Sequence, residues 1–202
     1  MNKLLFTFVF LCTSLLYGQQ TIKNLQWLNV NRIITQSSIG NDVTLYAQTE
    51  NIDNDEPVKI TIWSKGDEKD DLVGEYHSII RYNQIVFNWV LAFDIEKMEN
   101  SMKEIEANGF TIPQYYFIIQ YNTIKSEDSN LLAVKDTIRK QILFEGTNIP
   151  AINRGYTLLL PDKTIINGKT DYEGYVYIEN LIIGTYYFYL HEEGDLDDLD
   201  DF

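Results

Sequence analysis

Apolar and polar positions alternate along most of this chain. VTLYA at 43–47 and VKITIW at 58–63 set an apolar side chain at every second residue, the period of a strand with one buried face. IVFNWVL at 85–91 and YYFIIQY at 115–121 are richer in apolar residues, as strands in the middle of a core are. Between them, SSIGND at 37–42, NIDNDEP at 51–57 and GDEKDD at 66–71 gather the residues that favour turns. Short strands at this spacing predict an antiparallel sandwich rather than a parallel α/β sheet. One segment changes period. Ile95, Met98, Met102 and Ile105 recur at steps of three and four, with Glu and Lys between them. This predicts an amphipathic helix over 94–108, with Asp94 as its N-cap, Gly109 as its stop, and a packing role at one end of the sandwich.

A second β unit is predicted from residue 137 to residue 191. Its strands are TIRKQILF at 137–144, GYTLLL at 155–160, TII at 164–166, YVYI at 175–178 and YYFYL at 186–190. A unit of about 55 residues lies near the lower limit for independent folding, so it is expected to lean on the unit at 22–136 or on another protein.

The N-terminal residues change the expected compartment. Lys3, an apolar run over 4–16 and the polar YGQQ at 17–20 read as a secretory signal at 1–18, cleaved after Gly18. The expected location is secreted, periplasmic or elsewhere in the cell envelope. Cys12, the chain's one cysteine, lies in this segment, and the large Leu11 before it disfavours lipidation. A mature chain would then have no thiol for disulfides, thiolate catalysis or zinc–thiolate sites. The 202 residues carry a formal net charge of −14. Such a field repels phosphate backbones and anionic lipid, which argues against nucleic acid as a partner and against membrane insertion of the mature chain.

Two resemblances sharpen the fold. The stretch RGYTLLLPDKTIINGKTDYEGYVYIENLIIGTYYFYL resembles the prealbumin-like, or carboxypeptidase-regulatory-like, β-sandwich module. The pattern is carried by Gly168, Thr170, Asp171 and Gly174, then by Leu181, Gly184 and Tyr186. The region 27–136 is similar to an immunoglobulin-like domain that precedes such modules in bacterial surface and secretion-tip proteins. Its signature is GNDVTL at 40–45, VKITI at 58–62, FNW at 87–89 and YFII at 116–119. Together they imply an all-β protein of two antiparallel sandwich domains with one inserted helix. Modules of this kind serve as stalks, spacers and binding appendages, and related arrangements occur near type VI secretion and phage-tail-like apparatus.

Chemistry is sparse. His77 and His191 have no partner at ligand or triad spacing, and the nucleophile, metalloprotease and phosphate-loop motifs are missing. No catalytic residue, cofactor or metal site is therefore expected. The acids gather in turns, at Asp53, Asp55, Glu56 and 67–71, where water is expected to surround them, whereas an acid catalyst needs a raised pKa. An acid–base glycan hydrolase, which needs two carboxylates close in space, is the enzyme alternative. GKTDYEG at 168–174 reads as a corner between strands rather than an acidic site.

Two features remain as binding candidates, for a protein or a glycan. Tyr175 and Tyr177 share one face of a strand, and Tyr187 and Tyr189 share one face of another. If those strands adjoin, the four rings form one patch. The tail EEGDLDDLDDF at 192–202 is either solvated, a calcium ligand set, or a segment that docks on a basic partner groove through Asp195, Leu196, Asp198, Leu199 and Phe202. Its EF-hand likeness fails for want of the central glycine and the terminal glutamate.

Overall fold

The computed structural model describes residues 18–191. The signal-like segment up to residue 17 and the acidic tail from 192, with Asp195, Leu196, Asp198, Leu199 and Phe202, lie outside the described residues. The first strands are β1 (Thr21–Asn29), β2 (Arg32–Ile33), β3 (Gln36–Ser38), β4 (Asp42–Glu50) and β5 (Pro57–Ser64). Then come β6 (Asp71–Ile79), β7 (Gln84–Val90), a helix α1 (Glu99–Asn108), β8 (Phe110–Thr111), β9 (Gln114–Tyr121) and β10 (Ile124–Lys125). The remainder is β11 (Leu132–Gln141), β12 (Gly155–Leu159), β13 (Ile165–Lys169), β14 (Tyr175–Leu181), β15 (Ile183–Gly184) and β16 (Tyr187–Leu190).

Two sheets form the larger sandwich. One has the order β2-β1-β4-β7, and the other runs β14-β11-β9-β5-β6 with β10 and β3 attached. Alternation decides which side chains meet between them. Trp27, Leu45, Ile85 and Trp89 from the first sheet are buried against Ile60, Ile62, Phe117, Ile119 and Leu132 from the second. The Trp27 ring meets Phe117 edge-on at a centroid distance of 4.9 Å, and its Nε1 donates to the Asn130 carbonyl at 2.9 Å. Burying the indole therefore leaves no unpaired donor.

A smaller core lies beyond it. The three-stranded sheet β13-β12-β16 faces the far half of β11 together with β14. Tyr156, Leu158, Leu160, Val176 and Leu181 are buried there, with Ile138, Ile166, Ile178 and Phe188 packed around them.

β11 belongs to both cores. Its first residues pair with β9 and β3, and residues 136–141 pair with β14 across a register shift. The boundary expected at 136/137 therefore falls within a continuous strand. Further links cross the same junction. Ile183 and Gly184 of β15 pair with β8, the Asn180 amide donates to Ser38 Oγ, and the Tyr186 hydroxyl donates to Asp136.

Several expectations are corrected in detail. All named pairings are antiparallel except β3 with β11, which is parallel. The helix expected over 94–108 is divided. Asp94 caps a 3-10 turn at Ile95–Lys97 by accepting from the Glu96 amide, and α1 starts after Met98. Met98 separates the two, since its backbone (φ −107°, ψ 77°) lies outside the helical region while its side chain is buried. Met102, expected on the packed face, is exposed, while Gly109 ends α1 in the left-handed conformation as expected.

Candidate functional site

The corner at 168–174 sets the geometry of the candidate site. Asp171 Oδ1 accepts from the Glu173 and Tyr175 amides, both at 2.8 Å, and Gly174 takes φ 81° to complete the turn. Beneath it, buried Thr170 accepts from the Arg154 amide at 2.9 Å and donates to the Ala151 carbonyl. These bonds are made to backbone, so the carboxylate and hydroxyl hold the chain in its turn. GKTDYEG is structural.

β14 leaves this corner with Tyr175 and Tyr177 facing solvent and Val176 facing the small core. In the register with β11, Tyr177 stands opposite Arg139 and Tyr175 opposite Gln141. Directly opposed residues share a face, so the guanidinium and both rings line one surface. With Asp171 and Glu173 they border an open groove of about 470 Å³. The Gln141 amide is tied to the Glu173 carbonyl at 2.8 Å, which braces the groove floor. The Tyr177 hydroxyl donates to the Glu179 carboxylate, and that bond pushes the phenol pKa upward. Tyr177 therefore stays a neutral donor and acceptor.

The structure separates the four tyrosines. β14 lies at the edge of the seven-stranded sheet, whereas β16 lies at the edge of the three-stranded sheet. Phe188 of β16 packs into the same small core as Val176, so the alternate residues Tyr187 and Tyr189 point out on the opposite side. Adjacent strands were the condition for a single patch, and β14 and β16 are not adjacent. What results is two tyrosine pairs back to back. Only the pair on β14 has a cation beside it in the register. Sequence reasoning missed Arg139, because its only signal was a strand pairing that no spacing rule exposes.

A second groove, of about 520 Å³, opens at the end of the small core between Phe144, Arg154, Leu190 and His191. The Arg154 guanidinium lies over the Phe144 ring at 5.3 Å. His191 Nε2 is 2.9 Å from Thr157 Oγ1. His77 is exposed on β6 opposite Lys59, itself paired with Glu75. Among the described residues, no three His, Asp or Glu side chains converge as a metal site, and no helix is long and apolar enough to cross a membrane. No protein-family model matches this chain, and neither does any curated protein.

Proposed function

We propose that this chain is a non-enzymatic extracytoplasmic protein that works by binding, as a recognition or adaptor module. Its contact surface is the outward face of β11 and β14, and its partner is a protein segment or a glycan. The observation that carries this reading is Arg139 side by side with Tyr177, and Tyr175 next along the strand, all facing solvent. Tyrosine offers a large apolar face with a polar tip, and arginine adds a planar cation that stacks and hydrogen-bonds. Paired strands hold such groups more firmly than a loop does.

The finer fold reading belongs to the same proposal: an immunoglobulin-like sandwich at 22–136, followed by a prealbumin-like module at 137–191. Two separate hydrophobic clusters support it, as does the tight corner at Thr170–Asp171–Gly174 between β13 and β14. Export rests on the pattern of residues 1–18.

The test is affinity capture from the cell envelope with three baits. These are the wild type, Tyr175→Ala with Tyr177→Ala, and Tyr187→Ala with Tyr189→Ala. A partner held by the first and third baits and lost by the second, at unchanged melting temperature, supports the proposal. Identical capture by all three would sink it.

A further inference from the structure

The groove at the end of the small core has an apolar lining. Ile142 and Phe188, which pack on that core, line it together with Leu143, Phe144 and Leu190. Arg154 and Glu145 add one charge of each sign. The segment 142–152 folds as one hairpin, since Leu143 bridges Pro150 and the Phe144 amide donates to the Ile149 carbonyl at 3.0 Å. That hairpin leaves Leu143 41% exposed, Ile149 61% and Ile152 50%. Aliphatic side chains gathered in water in this way mark a surface that another segment covers.

A second observation lies at His191, which lines the same groove and is the last described residue. Thr157 Oγ1 donates to Asn167 Oδ1 at 2.8 Å, so its lone pair receives the Nε2–H of His191 at 2.9 Å. The other ring nitrogen, Nδ1, is then an acceptor, and it is buried without a hydrogen-bond partner. A buried acceptor left alone is costly, and a backbone N–H brought over the ring would satisfy it.

From His191 the chain continues as EEGDLDDLDDF at 192–202. Leu196, Leu199 and Phe202 recur at every third position among seven acids. Such a segment can bury its apolar residues only against a surface that does not repel its carboxylates. Acids outnumber bases over 22–136, whereas residues 137–191 carry as many bases as acids, so the small core is the less repelling of the two. Reach is sufficient. Five residues span up to about 17 Å, and Gly194 lets the chain double back, so Leu196 can return to a groove that begins at residue 191.

We propose that the occupant of this groove is the chain's own segment 192–202, with Leu196 and Leu199 seated against Leu143, Phe144 and Leu190. Covalent attachment favours this occupant over a separate one, because a tethered segment meets its site at an effective concentration on the order of millimolar. The inference is independent of the groove on β14.

Hydrogen exchange read by mass spectrometry tests it on the full chain, on a chain ended after His191, and on Leu196→Ser with Leu199→Ser, which keeps every charge. Ending the chain at His191 should quicken exchange over 142–152 by about tenfold, the ratio of a millimolar effective concentration to a sub-millimolar affinity. Exchange in β4 and β5 should not change, which reports an intact fold. The serine pair should reproduce most of the effect, and it carries the test if the shortened chain loses its fold. Protection in the full chain should survive dilution over about a hundredfold range, as an intramolecular contact does. Equal exchange over 142–152 in all three proteins overturns the proposal, and so does indifference to the serine pair. Protection that fades on dilution would assign the groove to the segment of another copy, and protection seen only with added calcium would assign the acids to a cation. Either result also overturns it.

Discussion

The large and small cores of this protein divide the work differently. The large core is built from aromatic packing, with Trp27, Trp89, Tyr115 and Phe117 within ring-contact distance of one another in sequence of pairs. The small core has five buried members and a single ring pair, Tyr156 with Phe188. Charge divides too. Residues 137–191 carry five acids (Glu145, Asp162, Asp171, Glu173, Glu179) and five bases (Arg139, Lys140, Arg154, Lys163, Lys169). Acids outnumber bases over 22–136, and the segment 192–202 adds acids and no Lys or Arg. The strong negative charge is thus no guide to what the β14 groove binds, since the groove sits on the electrically balanced part. In the proposed reading the larger core acts as a support, and the smaller one carries the candidate binding groups on β14.

The largest expected effect tests that support. Trp27→Ala should cost about 3–5 kcal/mol, because it removes a fully buried indole and leaves the Asn130 carbonyl without its partner. Urea unfolding followed at tyrosines of both cores should show them lost together, since β11 is shared. Retention of the small core after the large one unfolds would break the dependence.

Thr170→Val should be milder and local. It keeps the shape but strands the Arg154 amide and the Ala151 carbonyl, for about 1–3 kcal/mol. Hydrogen exchange should quicken in β12 to β14 and stay unchanged in β4 and β5. Equal quickening in both regions would erase the distinction between the cores.

Val30→Gly should go the other way, raising stability by about 1 kcal/mol through relief of the left-handed valine. A lower melting temperature would mean that Val30 makes a folding contact after all.

The smallest effect concerns pH. Burial alone pushes the Asp70 carboxyl up, but hydrogen bonds from the Tyr116 hydroxyl, the Gly66 amide and Lys65 outweigh it and hold the pKa below 3.8. A lowered folded pKa contributes stability that is present above the unfolded value and lost as pH falls through the folded one. Asp70→Asn should therefore flatten part of the acid limb of a stability–pH curve below about pH 4. An unchanged limb would remove Asp70 from the account.

Strands with strict alternation are legible in the sequence itself. The runs at 43–47 and 58–63 lie in strands, because burial on one face imposes period two, while 115–121 lies in β9, which is buried on both faces, and residues 85–90 lie in β7. Gly109 was also legible as the helix stop, and Asp94 as a cap, though of the 3-10 turn and not of α1, since caps are local chemistry. The start of β11 at Leu132 was not, because residues 132–135 are held by β9 and β3, which are distant in sequence. The same limit hid Arg139. Its role depends on standing opposite Tyr177, a register fixed by the corner at Asp171 and by the shift near Asp136. Tyrosine spacing within one strand could be read, but which strands were neighbours could not.

Recognition is proposed to sit on β14 and not on exposed tyrosine in general. Tyr82 offers the control, as it is 86% exposed at a turn of the larger sandwich. A photo-crosslinking residue placed at position 177 in one protein and at position 82 in another, each irradiated in the cell envelope, makes the comparison direct. A discrete cross-linked product should form from position 177 and none from position 82. A product from position 82 alone, or the same products from both, would contradict it.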